Sequence, residues 1–268
     1  MKLLNGSELA GFVKERQAHQ VANLKSTDII PHLLIIRDND NPVITKYVNL
    51  KIKYGNDIGI KVTDYLATDT NDIIHKITQA NSDSTIHGII IQLPLTDKSK
   101  TDDLCNLIAP EKDVDGLGQN AIYDSATATA ILWLLAGYDI NLANKKIALI
   151  GRGKLVGAPL YHMFTTSNYD VSLFHRGDNL TNLKNFDIII SATGVPGLIL
   201  DEYITSGTIL IDAGTASEDG VIKGDLAPEI RARTDLAAIT PLTGGVGPLT
   251  VSCLFDHLIQ STTKIHQK

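Results

Sequence analysis

Short apolar runs alternate with amphipathic segments along most of this chain. Six runs have the length of buried strands: His32–Ile36, Gly88–Gln92, Lys146–Ile150, Val171–His175, Asp187–Ala192 and Ile209–Asp212. Segments with helical spacing accompany them, including Ser7–Leu24, Thr127–Ala136 and Thr250–Ser261. Because alternating strands and helices build parallel βαβ units, the pattern predicts an α/β fold with a mostly parallel sheet covered by helices.

The length of 268 residues favours two lobes over one. The best boundary lies near Asn120–Thr127, where a loop gives way to a helix. We predict one domain over residues 1–121 and a second domain over residues 122–249. The last helix, within 250–268, is expected to return to the first lobe and complete it.

Composition excludes several classes of partner. The net charge of −6 offers no electrostatic footprint for nucleic acid or an anionic membrane. Cys105 and Cys253 lack metal-ligand spacing, so we expect no metal site. No run approaches the roughly 18 apolar residues that span a bilayer, and no signal peptide is recognised. The sequence therefore predicts a cytoplasmic protein.

The strand Lys146–Ile150 leads into a glycine-rich turn and then a helix. Its glycines follow the spacing G-x-G-x-x-x-G, one residue longer than the usual dinucleotide fingerprint. Backbone N–H groups at such a helix start can hold a pyrophosphate, helped by the helix dipole. The candidate cofactor-binding residues here are Gly151, Arg152, Gly153, Val156 and Gly157.

The next strand ends in His175-Arg176 and carries no acidic residue at its tip. An acidic residue there would hold a ribose diol, whereas arginine accommodates a 2′-phosphate, so NADP is favoured over NAD. Small residues end two further strands and leave room for the cofactor. They add Ala192, Thr193, Gly194, Asp212 and Gly214 to the candidate set.

The N-terminal half carries candidate acid–base groups. Tyr47 and Lys51 share a helix face at spacing i, i+4, and a partly desolvated lysine there would lose its proton more readily. The alternative is an ordinary exposed pair. Gln92 ends a buried strand and can orient a lysine, bind a heterocycle or cap its own loop. Asp113 and Asp115 offer two carboxylates or form a solvated acidic turn.

Near the C-terminus, the segment Thr240–Thr250 contains three glycines and two prolines. Glycine permits positive φ and close approach of the backbone, while proline fixes φ and removes a donor. This combination suits a stiff loop that grips a flat ligand, or a tight turn that enters the last helix.

Together these segments resemble the bifunctional methylenetetrahydrofolate dehydrogenase/methenyltetrahydrofolate cyclohydrolase family. The resemblance extends over most of the chain, through Tyr47 with Lys51, Gly88–Leu95, Pro110–Gly116, Gly151–Pro159, Asp187–Gly194, Ile211–Gly214 and Thr240–Thr250. It implies oxidation of 5,10-methylenetetrahydrofolate with NADP, then hydrolysis of the methenyl product to 10-formyltetrahydrofolate. It implies that residues 1–121 form the catalytic folate-binding domain and that residues 122–249 form a Rossmann-type NADP-binding domain. It also implies a homodimer that forms through the nucleotide-binding lobe.

The resemblance assigns roles to individual residues. It implies that Lys51 and Tyr47 are catalytic, that Gln92 supports the lysine, and that Asp115, rather than Asp113, binds the pterin. Further substrate-binding residues would be Leu93, Pro94, Gly244, Gly245 and Pro248, and Gly245 and Val246 would also contact the cofactor.

Four features depart from the family pattern. Ile44 stands where a serine usually precedes the tyrosine, and Gly153 replaces a serine of the glycine turn. Arg176 replaces the serine that follows His175, and the segment 116–128 is shorter, with Thr127 alone matching. A monofunctional relative, a shikimate dehydrogenase-like enzyme and a catalytically silent NADP- or folate-binding protein remain alternatives.

Overall fold

The computed structural model describes residues 1–214, 216–218 and 221–267. The end of the predicted segment 250–268, Lys268, lies outside the described residues. The strands are β1 (Lys2–Leu3), β2 (His32–Arg37), β3 (Lys61–Leu66), β4 (Gly88–Ile91), β5 (Lys146–Ile150), β6 (Asp170–Phe174), β7 (Ile188–Ser191), β8 (Ile209–Asp212), β9 (Ala216–Glu218), β10 (Val221–Lys223) and β11 (Ala238–Ile239). The α-helices are α1 (Gly6–Lys25), α2 (Pro42–Ile58), α3 (Thr70–Ser82), α4 (Thr101–Cys105), α5 (Ala126–Gly137), α6 (Gly157–Thr166) and α7 (Val246–His266).

The chain forms two compact units. The six-stranded unit comprises Met1–Ala10 and Thr127–Thr250, and the three-stranded unit comprises Gly11–Ala126 and Val251–Lys268. The first ten residues therefore belong to the six-stranded unit, whereas the sequence assigned them to the N-terminal domain predicted for residues 1–121. The physical reason is that β1 pairs in parallel with β11, at the edge of the larger sheet.

In the three-stranded unit the strand order is β3-β2-β4, and both pairings are parallel. β2 and β4 are apolar and buried, as expected of strands covered on both faces. α2 begins where the Asn41 side chain accepts a hydrogen bond from the Val43 amide, and it ends at Gly59 with φ +83°. Gly55 lets α2 approach β3 and α7, because a Cβ there would overlap Val62.

In the six-stranded unit the strand order is β1-β11-β8-β7-β5-β6, and every pairing is parallel. β9 and β10 form a separate antiparallel pair. The next two strands along the chain, β6 and β7, lie on opposite sides of β5. Open parallel sheets bind ligands at such a switch point, beyond the carboxyl ends of the strands. β2 is the corresponding strand of the smaller sheet, with β3 and β4 on either side.

The predicted α/β class and all six predicted strands are confirmed. β3 was not predicted, because this edge strand is only partly buried and lacks an apolar run. α7 begins at Val246, four residues before the predicted start, so the second half of the segment Thr240–Thr250 belongs to the helix. Within the described ranges, no helix is long and apolar enough to cross a membrane.

Candidate active site

Lys51 and Gln92 meet at the carboxyl end of the smaller sheet. Lys51 lies on α2, and its Nζ donates a hydrogen bond of 2.6 Å to Gln92 Oε1. Gln92 follows β4 directly, and its Nε2 donates to the Leu93 carbonyl at 3.1 Å. This second bond orients the amide, so that its oxygen faces the lysine. Tyr47 lies one helical turn before Lys51 and is partly buried.

Burial shifts the pKa values of two groups in this site. It lowers the pKa of the Lys51 ammonium, and the negative charge of Asp115 offsets only part of that effect. Burial also raises the pKa of Asp115 to about 6, where Lys51 favours the charged form and Asp113 disfavours it. Lys51 and Asp115 are distant in the sequence, but in the fold the charge of each shifts the pKa of the other.

The loop that carries Asp115 runs beside β4, where the Ile89 amide donates to the Lys112 carbonyl at 2.8 Å. Asp113 is 2% exposed and accepts hydrogen bonds from the amides of Gly116, Leu117 and Gly118, at 3.0, 3.1 and 2.6 Å. The Asp113 carboxylate therefore shapes the loop, which supports the predicted choice of Asp115 as the ligand-binding carboxylate.

Lys112, like Asp113, has a structural role. Its Nζ donates to the carbonyls of Ala80, Asn81 and Asp83, at 2.8, 3.0 and 2.7 Å, and so satisfies the end of α3. Burial lowers the pKa of Lys112, which Asp83 partly offsets.

The loop after Gln92 has anchors that the sequence analysis missed. Leu93 and Pro94 are joined by a cis peptide bond. Asn39 Nδ2 donates to the Pro94 carbonyl at 3.1 Å, and Asp38 accepts from the Thr96 amide at 2.9 Å. Asp38 and Asn39 follow β2, and polar residues at this strand end were the signal that could have identified them.

A second missed group supports α2. Tyr54 donates its hydroxyl to Gln17 Oε1 at 2.7 Å and lies 3.1 Å from Ser252 Oγ. The Tyr54 ring stacks on Phe255, with 5.0 Å between centroids. Since Tyr54 lies less than one turn from Lys51 on α2, these contacts hold the helix that presents the lysine.

The glycine turn after β5 lies at the switch point of the larger sheet. Gly151 has φ +99°, and a Cβ there would approach the Ala192 carbonyl oxygen to 2.8 Å. A Cβ at Gly157 would overlap the Gly151 carbonyl, whereas a Cβ at Gly153 would have no neighbour within 4 Å. Val156 precedes α6 and is buried. This backbone forms a cradle of the kind that accommodates a pyrophosphate at a helix N-terminus.

Arg152, His175 and Arg176 are exposed at the ends of β5 and β6. The acidic residue just beyond this tip, Asp178, folds back and accepts a hydrogen bond from the His175 amide at 2.7 Å. Its carboxylate is therefore engaged by the turn itself, while the two arginines leave the strand tips positively charged.

Asp212 ends β8, and its side chain is engaged within the unit. The carboxylate accepts from the amides of Gly214, Asp225 and Leu226, at 3.2, 3.1 and 3.3 Å, and forms an ion pair with Arg231. Burial raises its pKa. Ala192, Thr193 and Gly194 follow β7, where Gly194 has φ +68°. A contact of these residues with a cofactor stays a prediction.

The segment before α7 is braced by the start of α1. Gly244 has φ +82°, and its carbonyl accepts a hydrogen bond from the Ser7 amide at 3.0 Å. A Cβ at Gly6 would overlap the Gly245 carbonyl, which explains the glycine at that position. Val246 and Pro248 lie in the first turn of α7. Ligand contacts of Gly244, Gly245, Val246 and Pro248 remain predictions.

Two domain families match this chain. The catalytic domain of tetrahydrofolate dehydrogenase/cyclohydrolase matches residues 4–115, and the NAD(P)-binding domain of the same enzymes matches residues 125–266. The chain belongs to the tetrahydrofolate dehydrogenase/cyclohydrolase family. This assignment confirms the predicted family and enzyme class, and it excludes the shikimate dehydrogenase-like alternative.

Three members of the tetrahydrofolate dehydrogenase/cyclohydrolase family match over at least 98% of their length. The bifunctional protein FolD of Lactobacillus acidophilus is 34% identical, over 98% of both chains. The crystal structure of the bifunctional enzyme FolD from Campylobacter jejuni is 31% identical, with a TM-score of 0.92 over 98% of this chain and 99% of that one. The Trypanosoma brucei FolD, solved with NADP cofactor and an inhibitor, is 26% identical, with a TM-score of 0.91 over 99% and 98%.

Proposed function

We propose that this chain oxidises 5,10-methylenetetrahydrofolate to the methenyl cation with NADP and hydrolyses that cation to 10-formyltetrahydrofolate. The observation that carries the proposal is the 2.6 Å hydrogen bond between Lys51 and Gln92, near a carboxylate with raised pKa, in a segment that matches the family's catalytic domain.

Lys51 is proposed to move the protons of the hydrolytic step. A lowered pKa increases the fraction of neutral amine, which can accept a proton from water. As the water oxygen bonds to the methenyl carbon, Lys51 takes one water proton. When the bond from that carbon to N5 breaks, the same proton passes to N5, the remaining hydroxyl proton leaves to solvent as the C=O bond forms, and the formyl group stays on N10. Gln92 accepts a hydrogen bond from the lysine Nζ and orients the side chain throughout, and Tyr47 helps to position it.

Asp115 is proposed to bind the pterin of the tetrahydrofolate substrate. Its carboxylate would accept hydrogen bonds from the amino-pyrimidine edge, together with the backbone of Leu93 and Pro94. The Asp113 side chain already serves three amides of its own loop, so Asp115 is the better candidate. Gly244, Gly245 and Pro248 are proposed as further substrate contacts.

NADP is the proposed cofactor, and the glycine cradle at Gly151–Gly157 fits its pyrophosphate. When bound, the nicotinamide accepts the hydride from the methylene carbon. Arg152 and Arg176 would pair with the 2′-phosphate, where Gly153 offers no hydroxyl. The other proposed contacts are Val156, His175, Ala192, Thr193, Gly194, Asp212, Gly214, Gly245 and Val246.

A spectrophotometric assay of the purified protein with methylenetetrahydrofolate tests the proposal, run separately with NADP and NAD. We expect reduced cofactor with NADP and little accumulation of methenyltetrahydrofolate. Hydrolysis of added methenyltetrahydrofolate without reduction of either cofactor would instead identify a monofunctional cyclohydrolase. Failure of both assays would leave a silent binding protein.

Two further expectations belong to the proposal. We propose a homodimer formed through the nucleotide-binding unit and a cytoplasmic location. Sedimentation velocity of the full chain is expected to give twice the mass of 29.0 kDa. A single species at the monomer mass across micromolar concentrations would contradict the dimer.

A further inference from the structure

Asp225 is a fully buried carboxylate in the six-stranded unit, with 0% exposure. It follows β10 along the chain but lies at the carboxyl ends of β7 and β8, where its own amide donates to Asp212 Oδ1 at 3.1 Å. Burying a charged group is costly unless hydrogen bonds compensate, so its contacts call for an explanation.

One carboxylate oxygen of Asp225 holds the end of β7. Oδ2 accepts a hydrogen bond of 2.6 Å from Ser191 Oγ and another of 2.7 Å from the Thr193 amide. These bonds determine the conformation of the short turn, Ser191–Gly194, that leaves the strand. The turn therefore depends on a residue more than thirty positions later in the chain.

The other oxygen, Oδ1, is buried and has no hydrogen-bond partner within the described part of the chain. It lies against Gly214 after β8, and a Cβ at that position would overlap it. A buried acceptor without a partner costs free energy, and so does the backbone freedom of a glycine. Stability alone does not account for this arrangement.

The turn held by Asp225 forms one wall of the switch-point crevice. A Cβ at Gly151 would lie 2.8 Å from the Ala192 carbonyl oxygen and 3.2 Å from Thr193 Cγ2. The Ser191–Gly194 turn and the glycine turn after β5 thus lie so close together that a side chain at position 151 would not fit without a shift. A small displacement of Thr193 would change the width of the place where dinucleotides bind in such sheets.

We infer that Asp225 is a positioning residue for the dinucleotide, acting through the amide of Thr193 and the hydroxyl of Ser191. This inference rests on the proposed NADP-dependent function. Asp225 does not contact the reacting atoms. Removal of its carboxylate should weaken cofactor binding, while the cofactor-independent hydrolysis persists.

The test compares Asp225→Ala with Asp225→Asn in the full chain. NADP affinity is measured by isothermal titration calorimetry, and cyclohydrolase activity is measured with added methenyltetrahydrofolate and no cofactor. Asp225→Ala should raise the Kd for NADP at least tenfold, or about 1.4 kcal/mol. Asp225→Asn retains an acceptor oxygen and should stay within threefold of the parent Kd. Both variants should keep cyclohydrolase activity within twofold.

An unchanged Kd in Asp225→Ala would overturn the inference. A parallel loss of cyclohydrolase activity would also overturn it, because that result indicates a general structural role. Asp201→Asn, an exposed carboxylate of the same unit, is the matched control and should change neither quantity. If Asp225→Ala does not fold, Ser191→Ala takes its place. That variant removes one bond to Oδ2 and should raise the Kd at least threefold, and an unchanged Kd rejects the inference.

NADP binding and reduction by the parent protein distinguish a failure of this inference from a failure of the proposed function. If it neither binds nor reduces NADP, the proposed NADP-dependent function is wrong, and the role of Asp225 is rejected with it. If the parent binds and reduces NADP while Asp225→Ala binds NADP equally well, the inference alone fails.

Discussion

Lys51 Nζ donates to Gln92 Oε1 at 2.6 Å, across the gap from α2 to the end of β4. The amide is itself held by the bond from Gln92 Nε2 to the Leu93 carbonyl. A neutral acceptor orients the lysine without adding a negative charge, so burial can lower the lysine's pKa. The choice of an amide over a carboxylate at position 92 thus favours a proton-accepting amine.

Replacing Lys51 by methionine should abolish cyclohydrolase activity, with a loss of at least about 100-fold, since general acid–base groups contribute that much or more. NADP affinity should not change, because Lys51 lies in the three-stranded unit. Lys53→Met is the matched control: Lys53 has a side chain 73% exposed, paired with Asp57, and should retain activity. Equal activity of both variants in the methenyltetrahydrofolate assay would contradict the assigned role.

Gln92→Glu preserves shape and adds a negative charge next to the lysine. The carboxylate should raise the pKa of Lys51, so that the amine is protonated at neutral pH and cyclohydrolase turnover falls by about 10-fold or more. Turnover should recover at alkaline pH, which a profile of kcat against pH from 6 to 10 would reveal. An unshifted profile would rule out Lys51 as the proton acceptor.

Asp115 should make substrate binding pH-dependent. With a pKa of about 6, the carboxylate becomes protonated as the pH falls through 6, and one oxygen then carries an O–H donor, so the group no longer accepts hydrogen bonds at both oxygens. Thus kcat/KM for the folate should fall about tenfold per pH unit below that value. Asp115→Asn should lower kcat/KM and remove this dependence, without lowering the free energy of unfolding.

Asp113→Ala is the contrasting variant for Asp115. It leaves the amides of Leu117 and Gly118 without their side-chain acceptor, and the Leu117 hydrogen bond is buried, so the free energy of unfolding should fall by about 2 kcal/mol or more. Urea denaturation measures this difference. If Asp113→Ala were as stable as the parent while Asp115→Asn was destabilised, the roles of the two carboxylates would be reversed.

Arg176→Ala should raise the KM for NADP about 5- to 10-fold and leave the KM for NAD unchanged, since only NADP carries the 2′-phosphate. The effect should weaken in high salt, because the arginine is exposed. Lys184→Ala, an exposed cation of the same unit, should show no such selectivity. A proportional rise in both KM values would exclude a role in cofactor choice.

His87 should make the fold sensitive to acid. Its Nδ1 accepts a hydrogen bond of 3.2 Å from the His32 amide, so the neutral ring donates a hydrogen bond of 3.0 Å from Nε2 to His266 Nε2. Burial lowers its pKa to about 4, helped by the nearby charges of His266, His32 and Lys112 and opposed by Asp83.

His87 binds a proton more tightly in the unfolded chain than in the folded chain. The contribution of neutral His87 to the free energy of unfolding is therefore complete above about pH 6.5 and is lost as the pH falls toward 4. The free energy of unfolding should fall by about 3 kcal/mol over this range, measured by urea denaturation at several pH values. His87→Gln cannot titrate and should flatten this part of the profile. A profile as steep as that of the parent would mean that other groups cause the acid sensitivity.

The sequence determined the parts of this protein that depend on local pattern. Apolar runs such as Ile147–Ile150 are buried wherever they occur, so they predict parallel strands covered by helices. A glycine turn between such a strand and a helix predicts the dinucleotide cradle, because only that backbone leaves room at Gly151 and Gly157. The four-residue spacing of Tyr47 and Lys51 needs only a helix to place both on one face.

Only the tertiary structure decided the remainder, since it depends on groups distant in sequence. The two residues of β1 become a strand because β11, more than two hundred positions later, offers a partner. Asp113 and Asp115 are two aspartates of one loop in different environments. Three amides donate to the Asp113 carboxylate, whereas the Asp115 carboxylate interacts with the charge of Lys51. Asp225 accepts hydrogen bonds from Ser191 and Thr193, and local sequence pattern does not predict that these distant residues meet. Hydrogen bonds and desolvation act through space, so the chemistry of these carboxylates was settled by folding.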